Sequence, residues 1–120
     1  KYQIGAESIS NLSLVLLNCS KLTSLTLDLY NISICNTDLQ KLSSALEKCY
    51  NLYNLDLNIM KNQINQQNIL DLISSLNNCI YLTSLCLKYE IPYLEIQIVK
   101  NKIKTKIFKL KRLVKMYVLS

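Results

Sequence analysis

The segments NCSKLTSLTL (18–27), KCYNLYNLDL (48–57) and NCIYLTSLCL (78–87) share the pattern C-x-x-L-x-x-L-x-L at intervals of 30 residues. Within it Leu22/Leu52/Leu82, Leu25/Leu55/Leu85 and Leu27/Leu57/Leu87 stand in register. Upstream, Ile4/Ile34/Ile64, Ile9/Leu39/Ile69, Leu12/Leu42/Leu72 and Leu16/Leu46/Leu76 recur at the same spacing. A period of this length implies stacked units, each too small to bury its own apolar face alone.

Inside one unit the apolar spacing changes. Leu39, Leu42, Leu46 and Cys49 follow at three, four and three residues, which is one stripe of a helix. Thr37 and Gln40 offer a capping box at its start. Leu55, Leu57 and Ile59 then alternate, as in a strand with one buried face. The pattern predicts a helix, a short turn at the cysteine and a strand in each unit. Strands of successive units then pair in parallel, with the helices on the other side. A degenerate fourth unit follows. Ile96, Val99, Ile103, Ile107 and Leu110 form a helix stripe, and Leu113, Met116 and Val118 reproduce the strand with a shift of one residue.

L-x-x-L-x-L, the long period and a cysteine three residues ahead of the first leucine together resemble the leucine-rich repeat family, in its ribonuclease-inhibitor-like subtype. The resemblance implies an α/β leucine-rich repeat solenoid of about four helix–strand units, roughly 1–29, 30–59, 60–89 and 90–120. The parallel sheet would form the concave face and the helices the convex face. The asparagine usual after the family's strand is found here as Asn31 and Asn62, at unequal offsets, and is missing after Leu87. Strand LTSLTLDLY (22–30) holds Asp28 as its one charge and offers an open edge. Further repeats or a capping element are therefore expected ahead of Lys1, in a longer repeat protein. Lys111, Arg112 and Lys115 charge the last strand, a way of blunting the opposite edge.

Much chemistry is missing. The chain has no histidine, the commonest general base, and one glycine, Gly5, which leaves no glycine-rich phosphate loop. The carboxylates are scattered; Asp28 and Asp56 fall on neighbouring strands but in different rows. The five cysteines include no tight C-x-x-C pair. Cys19, Cys49 and Cys79 read as one buried slot reused, with reduced thiols and an intracellular setting, cytoplasmic or nuclear. Cys86 as a reactive thiol is the weaker reading, with no histidine and with Lys88 as its one local cation. No apolar stretch approaches the ~20 residues of a membrane span, and no signal pattern opens the chain. The expectation is a non-enzymatic chain without metal, cofactor or small-molecule substrate.

What remains is surface. Strand residues between the inward leucines form rows across the units: Ser24/Asn54/Ser84/Lys115, Thr26/Asp56/Cys86/Tyr117 and Asp28/Asn58/Lys88/Leu119. With strands ~4.8 Å apart, one flat partner reaches a whole row. Ser24, Thr26, Asp28, Tyr53, Asn54, Asp56, Asn58, Ser84, Cys86, Lys88 and Tyr117 are the expected contacts of a protein partner, and the chain a protein-protein interaction module or scaffold.

Charge suggests an alternative. Residues 96–120 contain seven lysines, one arginine and no acid, whereas all eight acids precede them. Lys100, Lys104, Lys106, Lys109, Lys111, Arg112 and Lys115 belong to this segment. Such lysines cover the flanks of an apolar stripe with their stems while the amines stay wet. They also suit docking on an acidic macromolecule (RNA, an acidic protein tail or an anionic membrane surface) by an architectural subunit of a large complex.

Overall fold

Helix, turn and strand alternate at the interval set by the leucines. The computed structural model describes residues 6–90 and 115–119. In chain order these form α1 (Ala6–Leu17), β1 (Ser24–Asp28), α2 (Asn36–Leu46), β2 (Asn54–Asn58), α3 (Gln66–Ser75), β3 (Ser84–Lys88) and β4 (Lys115–Leu119). The starts of α1, α2 and α3 fall 30 residues apart, as do those of β1, β2 and β3. The helix expected over 96–110 lies outside the described residues.

The four strands form one parallel sheet in the order β1-β2-β3-β4. Leu25 pairs with Leu55 and Leu55 with Leu85, so side chains one period apart are neighbours. Ser84 pairs with Lys115, which is the expected shift of one residue at the fourth strand. Helices pack side by side on one face, α1 against α2 and α2 against α3. The core lies between the layers: Leu39, Leu42 and Leu46 of α2 and Leu55 and Leu57 of β2 are at most 1% exposed. Buried positions on the helix stripe also tolerate serine. Ser13 and Ser43 each donate a hydroxyl to the carbonyl four residues back, both at 2.8 Å, and so bury no unpaired group.

The cysteine slot sits in the turn after the helix, not within it. Cys49 and Cys79 are fully buried. Each thiol lies near a carbonyl one unit back, Cys49 Sγ at 3.9 Å from Leu16 O and Cys79 Sγ at 3.5 Å from Leu46 O. A small, weakly polar side chain suits this place, because it fills the core and adds a weak second donor to a carbonyl at the end of the preceding unit's helix.

Two local readings of the sequence need correction. The cap of α2 forms at Cys35 and Asp38, two residues ahead of Thr37 and Gln40. Asp38 Oδ2 accepts from the Cys35 backbone N–H at 3.0 Å and from its thiol at 3.2 Å. The period decides this: α3 is capped at the equivalent residues, where Asn65 Oδ1 accepts the Asn68 N–H at 3.0 Å. A start at Thr37 would cost α2 its first residues, and Asp38, almost fully buried, would lose its partners.

Asn31 and Asn62 are likewise not one feature displaced. Asn31 has φ 52°, and its true counterpart is Lys61, with φ 60°. Both occupy the left-handed turn that leads the chain off the sheet, a place asparagine tolerates better than most residues. Asn62 instead ties two turns together. Its Nδ2 donates to the carbonyls of Leu29, Ile59 and Met60, and its Oδ1 accepts from the N–H groups of Ile32 and Ile34. In the preceding unit that slot holds Ile32, which is buried.

Candidate partner-binding face

Strand alternation sends Leu55, Leu57, Leu85 and Leu87 toward the helices and leaves the residues between them on the open face of the sheet. The expected rows are in register. Ser24 pairs with Asn54 and Asn54 with Ser84; Thr26 pairs with Asp56 and Asp56 with Cys86; Asp28 pairs with Asn58 and Asn58 with Lys88. The backbone of β4 extends each row through Lys115, Tyr117 and Leu119. Ser24, Thr26 and Asp28 are exposed, while their neighbours on β2 and β3 are half-buried, because each inner strand is flanked on both sides.

Several of these side chains already have partners. Asn54 Nδ2 donates to Ser24 Oγ at 3.0 Å, joining two members of the first row. Asp28 Oδ1 accepts the Tyr30 N–H at 3.2 Å and Asn58 Oδ1 the Met60 N–H at 3.1 Å. These two therefore close the turn at the end of their strands, a structural task that their position in the row does not reveal. Asp28 and Asp56 stay in separate rows, so no carboxylate pair forms between them.

Cys86 is held protonated. Burial pushes its thiol up, the negative charge of Asp56 adds to this, and a hydrogen bond with Asp56 acts in the same direction; Lys88 opposes them. A group so placed is a poor nucleophile at neutral pH.

Tyr53 lies one residue ahead of β2 and stands outside the rows. Its backbone joins the ladder, donating to Thr23 O at 2.8 Å and accepting from Thr83 N at 2.9 Å, and its side chain is 49% exposed. Tyr50, Ile80 and Tyr81, which the rows do not include, are exposed in the same helix-to-strand turns. The signal for them is apolar bulk at positions outside the repeating apolar slots. Two surface hollows, about 430 Å³ along Asn18–Leu22 and about 290 Å³ between Asn31 and Gln63, are lined by turn residues and not by the rows. Lys100, Lys104, Lys106, Lys109, Lys111 and Arg112 lie outside the described residues, and of Lys115 and Tyr117 only the backbone is described. Among the described residues no helix is long and apolar enough to cross a membrane, and no group of three metal-ligating side chains comes together.

No family model matches the chain, and no curated protein does. Among solved structures it is similar to "Leiomodin-1 Actin-Binding Site 2 (ABS2)", with a TM-score of 0.73 at 16% sequence identity. The likeness covers 98% of this chain and 65% of that one, so the chain spans less than two thirds of its neighbour. At this identity the likeness is one of fold.

Proposed function

We propose that the chain is a leucine-rich repeat segment of the ribonuclease-inhibitor-like build, its units near 1–29, 30–59, 60–89 and 90–120 stacked as a solenoid with the sheet on the concave side. Two observations support this: helix, turn and strand return together every 30 residues, and the fold resembles a solved domain at TM-score 0.73.

Its function on this reading is non-catalytic binding of a protein through the sheet face. The observation that carries it is the set of three register-matched rows, whose small polar and charged side chains suit a flat macromolecular surface better than an enclosed ligand. The structural neighbour is named as an actin-binding site, which supports a protein as the class of partner. The raised thiol of Cys86 is a weak nucleophile at neutral pH, which suits binding better than catalysis. The side chains left to meet a partner are chiefly Thr26, Ser84 and Lys88, with Asp56 beside them.

A photoreactive residue placed at Thr26 or Ser84, and for contrast at Gln40 on the exposed side of α2, tests the reading in cells. Cross-linking to one protein from positions 26 and 84 but not 40, lost on Thr26→Arg with Lys88→Glu, is the expected result. Equal labelling from position 40, or binding indifferent to both substitutions, overturns it. A salt titration separates the alternative. Docking on an acidic macromolecule through the lysines of 100–115 loses roughly a tenfold or greater share of affinity between 50 and 200 mM salt. Polar contacts on the sheet face lose far less.

A further inference from the structure

The same slot is buried to different degrees in successive units, and the difference has a direction. Leu55 and Leu85 are 0% exposed and so are Leu57 and Leu87, whereas Leu25 and Leu27 of β1 remain partly open. On the helices the contrast is larger: Ala45 is 1% exposed and Val15, thirty residues earlier, 58%. What covers Ala45 and Leu55 is the unit before them, α1 and β1. Nothing among the described residues does this for Val15 and Leu25.

Polar side chains repeat the argument independently. Asn78 Nδ2 reaches back one unit to Glu47 Oε1 at 3.0 Å, and Asn51 Nδ2 to Ser20 O at 2.7 Å. Asn18, in the slot of Asn78, turns instead to Leu14 O of its own helix at 3.1 Å. The residue has the reach and lacks the acceptor.

We propose that the side of the molecule beyond α1 and β1 is a docking face for one further helix–strand unit, its strand parallel to β1, supplied by the same polypeptide ahead of Lys1. This rests on the stacked-unit reading and is independent of the sheet-face partner. The occupant follows from the interface already formed one step along. It must seat a helix against Val15 and a parallel strand against β1 at once, as α1–β1 does for α2–β2. By the 30-residue register its strand falls about three to seven residues before Lys1. A second copy related by a two-fold axis fails this requirement. It brings its strand in antiparallel, or, with the axis along the strand, puts its helices on the wrong face.

The test compares the 120-residue chain with the polypeptide translated from its whole reading frame. Val15→Lys leaves the melting temperature of the 120-residue chain unchanged, because position 15 is open there and a cation suits a helix C-terminus. In the whole polypeptide the same substitution buries a charge and lowers Tm by roughly 4 °C or more. Hydrogen exchange gives a second reading that needs no variant: the β1 amides that point away from β2 exchange quickly in the 120-residue chain and at least tenfold more slowly in the whole one. A reading frame that opens within a few residues of Lys1 overturns the proposal. So does equal exchange of β1 in both forms, or a 120-residue chain that already protects β1 as a dimer.

Discussion

Asn62 Nδ2 lies 2.8 Å from the carbonyl oxygen of Leu29, 33 residues earlier and one unit back. The same amide accepts the N–H groups of Ile32 and Ile34, so one side chain satisfies backbone groups on two turns. Asn62→Ala leaves these groups unpaired in a half-buried place, at a cost of about 2–4 kcal/mol. Asn31→Gly removes no such bonds and keeps the left-handed turn, so its effect stays within about 0.5 kcal/mol. Urea unfolding of both variants checks the contrast; equal midpoints would deny Asn62 its role.

Leu25 and Leu55 are partners across the sheet with unequal burial. Leu55→Ala empties a site closed on every side and costs about 3 kcal/mol, in the range of core leucine truncations. Leu25→Ala, at the open edge, costs less than half as much. The pair is read by chemical denaturation of the isolated 120-residue chain, and a ranking in the opposite order would contradict the assigned edge.

Alkylation of Cys86 reports on Asp56. Burial and the Asp56 carboxylate both favour the protonated thiol, so the rate of reaction with iodoacetamide rises with pH around a midpoint above the ordinary thiol value of 9.0. Asp56→Asn removes the charge and moves the midpoint down, which speeds alkylation at pH 8. An unchanged profile would show that the two side chains do not meet.

Alkaline pH weakens the fold. Burial raises Tyr89 above the ordinary phenol value of 10.0, and burial with the nearby Cys19 raises Cys49 above 9.0. In the folded state both groups hold their protons to higher pH than in the unfolded chain. Their contribution is therefore complete below pH 9 and is lost as pH rises through the unfolded and then the folded values. Denaturant midpoints measured from pH 7 to 11 fall above about pH 9, and Tyr89→Phe removes part of the fall. A flat profile across that range would contradict the burial of both groups.

The leucine slots were legible because burial acts on a whole unit at once, and 30-residue spacing survives any single substitution. The rows on the sheet followed from the same register, down to the one-residue shift at β4. The caps were not legible, since Thr37 and Gln40 satisfy a local rule that the repeat overrides: α2 and α3 begin together at 36 and 66. The two asparagines were confused for a similar reason. Asn31 and Asn62 share a residue type, but only alignment of Asn31 with Lys61 separates a backbone that turns left-handed from a side chain that binds two turns. The second tasks of Asp28 and Asn58 were hidden too, because a strand position tells which face a side chain takes and not which backbone N–H lies within its reach.

Five side-chain hydrogen bonds that cross between units point one way, while the Lys61–Glu90 ion pair, at 3.5 Å, runs the other. Lys41 meets Ser10, Asn51 meets Ser20, Asn54 meets Ser24, Asn62 meets Leu29 and Asn78 meets Glu47. In each pair the acceptor is the residue that leaves the ribosome first. Through these five contacts a nascent chain lays down an anchoring point before the group that grips it, so each new unit finds acceptors already in place on the one before.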